Sequence, residues 1–316
     1  MKRALVLGAN GLIGHHLCRF LERKGYQVAG LSRSPWRHDD NPCDDYWPCD
    51  LRESHRNFFE GADEVYQLAC EVGGLGYIMN KDHDTDCLRN STLIDIQVLE
   101  TCRSLAKKPR VFFASSACVY PNMRRPLKES DAYPAAPLNE FAWQKIFAER
   151  LYESYRRNYG VDIRIGRLFN TYGTGMSWTG GREKSIAALC RKVAELGPKQ
   201  KLEVWGAGDQ QRSYTYVDDT VEGIWRVMQS DYSQPINIGP DAWHDIKGVV
   251  AYLSHVANKV FDVKYIDGPA GSSSICCDTQ LMRKVLKWTP QTTLQQGLEK
   301  VYPWVRQQVL DNRNKT

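Results

Sequence analysis

Short apolar runs alternate with stretches of helical period through much of the chain. Arg3-Ala4-Leu5-Val6-Leu7 has the continuous apolar character of a buried parallel strand. Gln27-Val28-Ala29-Gly30-Leu31 reads as a second strand, Val65-Tyr66-Gln67-Leu68-Ala69 as the fourth, and Arg110-Val111-Phe112-Phe113-Ala114 as another. Helical patterns run from His15 to Lys24, around Thr92–Leu105, from about Lys145 to Asn158 and over Thr220–Met228. This succession predicts an α/β fold: a Rossmann doubly wound parallel sheet with helices on both faces, from residue 1 to about 170. Ile236-Asn237-Ile238-Gly239 reads as one further buried strand, so the segment from about 211 to 240 is expected to rejoin the sheet. Residues 171–210 and 241–316 are then expected to form a smaller C-terminal α/β substrate lobe. Val217-Asp218-Asp219 precedes a helix and is expected to cap it; the Asp311–Thr316 tail is expected to fray.

At 316 residues the chain has room for one large α/β unit or two unequal lobes. A hydrophobic content of 42% with 25% charged residues is that of an ordinary globular enzyme. The formal charge of +5 comes from scattered Lys and Arg, the densest run being Lys107-Lys108-Pro109-Arg110. That distribution fits an anionic small molecule and gives no reason to expect a nucleic-acid partner. No uninterrupted apolar run approaches the roughly 18 residues of a membrane span. Ten cysteines would suggest disulfides in a short secreted chain. Here the first strand begins by Arg3, and neither Cys43 with Cys49 nor Cys276-Cys277 has zinc-site spacing. Reduced thiols, a cytoplasmic location and no metal are the expectation.

Directly after the first strand come Gly8-Ala9-Asn10-Gly11-Leu12-Ile13-Gly14 and a helix. Strand, glycine-rich turn and helix are the setting in which backbone N–H groups meet a pyrophosphate. Gly8, Asn10, Gly11, Leu12, Ile13 and Gly14 are therefore candidate dinucleotide contacts. The second strand ends in Ser32-Arg33, where an acidic residue would bind the ribose hydroxyl of NAD and an arginine accommodates the 2′-phosphate of NADP. The cofactor is thus NAD or NADP, with NADP favoured. Asp50 and Leu51 are candidates for the adenine, and the strand ends at Leu68, Ala69 and Leu168 for the rest of the cofactor.

The second chemical signal is Ser115-Ser116-Ala117-Cys118-Val119-Tyr120-Pro121, a thiol just beyond a strand that ends in small hydroxyl residues. With Gly73-Gly74-Leu75-Gly76-Tyr77-Ile78-Met79, Lys128-Glu129-Ser130-Asp131-Ala132, Ile165-Gly166-Arg167 through Gly173, Gly180-Gly181-Arg182-Glu183-Lys184 and Trp205-Gly206 through Ser213, it carries a family likeness. The chain resembles the extended short-chain dehydrogenase/reductases, within them the nucleotide-sugar epimerases, and among those the GDP-mannose 3,5-epimerases, to about Trp304. The resemblance implies that Lys145 holds the nicotinamide ribose and lowers the pKa of a catalytic tyrosine, and that Ser116 steadies the sugar oxygen being oxidised. Cys118 and Lys184 would be the acid/base pair at ring carbons 3 and 5. Asn170, Lys192 and Arg212 would bind the nucleotide-diphosphate sugar, with Gly73 and Gly74 allowing close approach to the hexose. It also implies a homodimer built through the helices near Thr92–Leu105 and Lys145–Asn158. The chemistry accounts for such a set. A sugar C–H is too weak an acid to ionise near neutral pH until C4 becomes a ketone, after which a base on one face and an acid on the other invert the carbon.

The chain departs from that pattern at three places. Phe141 stands four residues before Lys145, where the tyrosine that accepts the C4 hydroxyl proton is expected. Either the sequence is a disabled variant that holds substrate unreacted, or another group accepts the proton; retention of Lys145, Ser116, Cys118 and Lys184 favours the former. The Gly268–Asp278 loop carries none of the arginines that the resemblance implies for gripping the diphosphate. Arg33 replaces the acidic residue expected for NAD. The leading expectation is an NAD(P)-dependent nucleotide-sugar epimerase; an NADP-linked 4-reductase or epimerase/reductase of deoxysugar synthesis and a non-catalytic nucleotide sensor stand as alternatives.

Overall fold

The computed structural model describes residues 1–269 and 271–314, so Ala270 of the Gly268–Asp278 loop and Lys315 and Thr316 of the tail lie outside the described residues. A seven-stranded parallel sheet forms the frame. Its strands are β1 (Arg3–Leu7), β2 (Gln27–Ser32), β3 (Asp45–Pro48), β4 (Glu64–Gln67), β5 (Arg110–Ser116), β6 (Ile163–Leu168) and the Ile236–Ile238 strand. Across the sheet the order is Ile236–Ile238, β6, β5, β4, β1, β2, β3. The winding direction reverses between β1 and β4, and the crevice outside the carboxyl ends of those strands is where such sheets bind ligands.

β1 is flanked on both sides, and Ala4 to Leu7 are buried, which is why they read as an unbroken apolar run. One core layer packs Val6, Leu17, Leu21, Val28 and Phe112; the other packs Leu5, Leu7, Val65, Val111 and Phe113. Each strand thus sends alternate side chains to opposite layers.

Helix boundaries differ from the periodicity reading for identifiable reasons. The first helix is Leu12–Arg23, because Gly11 is its extended N-cap and Leu12 to Gly14 form its first turn. The helix read around Thr92–Leu105 spans Asp84–Ser104. Its buried face includes Asn90, Ser91 and Asp95, polar residues that hide the apolar period. Asp95 is buried but satisfied: its carboxylate accepts from Gln67 Nε2 at 3.1 Å, Gln144 Nε2 at 2.8 Å and the Tyr152 hydroxyl at 3.1 Å.

Two local expectations are corrected. Asp218 and Asp219 lie in the first turn of the Val217–Gln229 helix but do not cap it. Asp218 bonds His16 at 3.0 Å, and Asp219 receives the backbone N–H groups of Gln291 and Thr292 at 3.1 and 2.9 Å. Rather than fraying, Asp311 to Arg313 belong to the Leu294–Arg313 helix, which starts with a Thr293/Gln296 capping box.

After β6 the chain builds small sheets that bring distant loops together. Gln211–Arg212 lies between His244–Asp245 and Ser274–Ile275, and Leu202–Trp205 pairs with Val263–Ile266. Among the described residues no helix is long and apolar enough to cross a membrane, and no group of three or more His, Cys, Asp or Glu is disposed to hold a metal ion.

Candidate active site

The glycine turn between β1 and its helix has the shape a dinucleotide needs. A Cβ on Gly14 would lie 2.2 Å from the Gly8 carbonyl oxygen, so only glycine lets the helix start this close to the turn. Gly11 offers no side-chain cap, which leaves first-turn N–H groups of the helix open toward a diphosphate. Asn10 has a different task from the one its motif position suggests. Its amide nitrogen donates to Ser34 Oγ at 2.9 Å and Pro35 O at 2.7 Å, and its oxygen accepts from Arg37 N at 3.2 Å. The side chain therefore pins the segment after β2.

Ser32 is likewise engaged inside the turn, its Oγ accepting from Asn10 N at 2.9 Å. Arg33 is 65% exposed and lies 3.7 Å from the Glu71 carboxylate. Arg52 holds the Asp50 carboxylate and depresses its pKa to about 2, so that carboxylate is occupied; Leu51 is buried. Leu68 and Ala69 follow β4 beside Gly8, whose neighbourhood includes the Ala69 backbone.

The carboxyl ends of β5 and β6 place Ser116 beside Leu168 in register. Ser116 Oγ accepts the backbone N–H of Cys118 at 3.1 Å and starts the short 3₁₀ turn that carries the thiol. Lys145 sits in the Glu140–Tyr159 helix, buried, with Nζ donating to Ala114 O at 3.0 Å. One helical turn earlier, the Phe141 ring centroid is 5.9 Å from that ammonium. Phe141 packs with buried Tyr77 and Cys87, and Cys70, Val72, Ile78 and Cys118 border the cluster.

Lys184 is the extended N-cap of the Ser185–Glu195 helix. Its side chain remains reachable by solvent, yet the protein around it withdraws enough water to push its pKa below the ordinary lysine value; Cys118 and Cys70 oppose that shift. Its place at a helix N-terminus further disfavours the cation. Arg212 also has its pKa lowered by burial and interacts electrostatically with Cys118 and Cys276. Its guanidinium donates to Gln211 O at 2.8 Å and Ser272 O at 2.7 Å. Cys118, Lys184 and Arg212 thus share one electrostatic neighbourhood.

Lys192 stands apart. Its Nζ donates to Glu203 O at 2.8 Å and lies 5.9 Å from the Trp205 ring centroid, against a hollow of about 430 Å³ also lined by Lys201, Glu203 and Lys264. Asn170, with a left-handed φ of 26°, donates to Ser213 O at 2.9 Å and holds two loops together. The close approach at Gly74 is internal to the protein: a Cβ there would lie 2.0 Å from the Glu183 carbonyl oxygen, and its N–H donates to Arg182 O at 3.0 Å.

Residue-by-residue reading missed the clamp that holds this loop. Buried Glu71 receives Arg182 Nη1 and the Tyr77 hydroxyl, the latter at 3.1 Å, while Arg182 Nη2 donates to that hydroxyl at 3.0 Å. The sequence signal was the arginine two positions before Lys184, but nothing marked its acidic partner.

A turn of this kind at the β1/β4 crevice, followed by a lysine and strand-end hydroxyl at β5, agrees with the match of residues 4–239 to a family model described as "NAD dependent epimerase/dehydratase family". The chain belongs to that family. It is 35% identical over 314 residues to the GDP-mannose 3,5-epimerase of Arabidopsis thaliana, covering 96% of this chain and 82% of that protein. It is 26% identical to UDP-glucuronic acid decarboxylase 1 of Xenopus tropicalis, covering 99% of this chain and 74% of that one. Among solved structures, UDP-glucuronic acid 4-epimerase from Bacillus cereus in complex with UDP-glucuronic acid and NAD superposes with a TM-score of 0.84 at 22% identity, over 97% of this chain and 100% of that one. MoeE5 in complex with UDP-glucose and NAD gives 0.85 at 25% identity, over 98% and 100%.

Proposed function

We propose that this chain is a nucleotide-sugar epimerase of the GDP-mannose 3,5-epimerase kind, inverting C3 and/or C5 of a nucleotide-linked hexose. The observation that carries this is the placement of Cys118 against the Phe141 and Tyr77 cluster, beside Ser116 and Lys145, with the Lys184 backbone packed against Gly74. Arg212 supplies the cation for the diphosphate. Ser116 keeps its hydroxyl hydrogen, since its oxygen already accepts from Cys118 N, and donates it to the sugar O4. Lys184, made easier to deprotonate by its surroundings, and Cys118 exchange protons with the ring carbons from opposite faces.

When bound, NAD or NADP supplies the hydride acceptor and donor that interconvert alcohol and ketone at C4. Gly8 to Gly14 would hold its diphosphate, Lys145 its nicotinamide ribose, and exposed Arg33 the 2′-phosphate of NADP. Oxidation of C4 also needs a base for the hydroxyl proton, and Phe141 has none to offer. The chain as it stands is therefore blocked at that step. Phe141→Tyr is expected to raise turnover of GDP-mannose by about 10²–10⁴-fold. An unchanged rate in that variant would reject Phe141 as the block to oxidation at C4.

Arg33 gives some support to an NADP-linked epimerase/reductase, which would oxidise one NADPH per sugar; Phe141 deprives that reaction of its proton donor as well. We further propose a homodimer, with a second copy seated on the Asp84–Ser104 and Glu140–Tyr159 helices. These two helices pack together and leave Leu88, Ile96, Trp143 and Phe147 exposed, large apolar side chains with no cover in the monomer. Ten unpaired cysteines fit a reducing, cytoplasmic location.

A further inference from the structure

We propose that this chain epimerises a nucleotide-linked sugar that already carries a ketone at C4. A reaction of the dehydratase or C4-dehydrogenase class must then supply the substrate, and a separate reductase class must consume the product. The inference rests on the epimerase reading above and names its substrate class.

Two separable steps are involved. Making the ketone requires a base for the C4 hydroxyl proton; inverting a neighbouring carbon requires only a ketone and an acid/base pair. The structure keeps the second set of groups and lacks the first. Phe141 is 6% exposed and sits in an apolar cluster with Tyr77 and Cys87. The tyrosine within that cluster cannot stand in for the missing hydroxyl. The Tyr77 hydroxyl donates to Glu71 and accepts from Arg182, and burial with the Glu71 charge pushes its pKa up to about 12. The nearby buried carboxylate of Asp95 is held by Gln67, Gln144 and Tyr152. Lys145 donates to Ala114 O, and Ser116 has its oxygen turned to Cys118 N with its hydrogen left to give. A hydrogen-bond donor at O4 suits a carbonyl oxygen and does nothing to deprotonate an alcohol.

With a 4-keto sugar bound, the C3–H or C5–H bond breaks and its proton passes to one member of the Cys118/Lys184 pair. The electron pair moves into the new C=C bond and onto O4, where the Ser116 hydroxyl hydrogen stabilises it. The other member then gives a proton to the opposite face, a new C–H bond forms, and the ketone is restored. Solvent returns both groups to their starting states, so nothing is oxidised or reduced. The product leaves as a ketone, because Phe141 has no hydroxyl with which to protonate O4 during a hydride transfer.

The test uses the unaltered chain in heavy water with GDP-4-keto-6-deoxymannose, its UDP-linked counterpart and GDP-mannose, each beside an enzyme-free control. Deuterium is expected at C3 or C5 of a keto sugar, with none in GDP-mannose and no change in nicotinamide absorbance. Cys118→Ser and Lys184→Met are each expected to lower that labelling by about 10²-fold or more. Labelling of GDP-mannose by the unaltered chain, or none above control in either keto sugar, overturns the inference. Phe141→Tyr with GDP-mannose separates the two levels of failure. Label there but not in the keto sugars defeats this inference and leaves the epimerase reading standing; label in neither defeats both.

Discussion

Lys184 shows how one side chain trades stability for chemistry. Its folded pKa lies below the ordinary 10.5 because surrounding protein penalises the ammonium. Between those two values the unfolded chain binds more protons than the folded one, so this group makes stability rise with pH in that window. Below the folded pKa the full penalty is present; above 10.5 it is gone. Lys184→Met is therefore expected to abolish proton exchange on the sugar while raising Tm at neutral pH. Calorimetry across a pH series checks the sign: the gain in Tm should shrink as pH approaches 10.5. A gain that stays constant with pH would place the effect in packing rather than charge.

Single residues were legible where their chemistry is local. Ser116 and Cys118 lie in one turn at the end of β5, and Lys145 lies one helical turn from Phe141, so spacing alone paired them. Asn10 and Ser32 show what spacing leaves out. Their motif positions suggest ligand contacts, and their side chains also bond to each other's segments, which spacing does not reveal.

At the scale of elements, the segment after β4 and the loop before the Ser185–Glu195 helix form one unit. Glu71 and Arg182 are 111 residues apart in sequence, and their pairing fixes the loop that carries Lys184. Arg182→Ala leaves a largely buried carboxylate with the Tyr77 hydroxyl and Arg33 at 3.7 Å, at a cost set by Glu71 since Arg182 is itself partly exposed. We expect faster amide exchange over residues 180–186 by hydrogen–deuterium mass spectrometry, with the core strands unchanged. A uniform rise across the sheet would instead mean global destabilisation. No sequence pattern announces such a pair, because both residues look like ordinary surface charges until the sheet brings their loops together.

For the whole molecule, the α/β architecture followed from apolar runs that are continuous because the parallel strands are buried on both faces. The proposed dimer is testable at this scale. Phe147→Glu, a charge placed on a half-exposed ring of the Glu140–Tyr159 helix, is expected to halve the solution mass seen by light scattering while preserving the circular dichroism spectrum. An unchanged mass would move the interface elsewhere.

What the sequence determined by itself was the set of local devices: the glycine turn that must follow β1, the thiol turn at β5, the lysine one turn from Phe141 and the absence there of a hydroxyl. Each depends on backbone geometry over a few residues, which spacing encodes directly. Only the tertiary structure decided which charges are free to act. It assigned Asp50 to Arg52, Asp219 to the backbone of Gln291 and Thr292, and Tyr77 to Glu71 and Arg182, while packing the Lys184 backbone against Gly74. The availability of a polar group is set by what else reaches it, and several of those partners, Gln291 and Thr292 for Asp219 and Arg182 for Tyr77, lie 72 to 105 residues away along the chain.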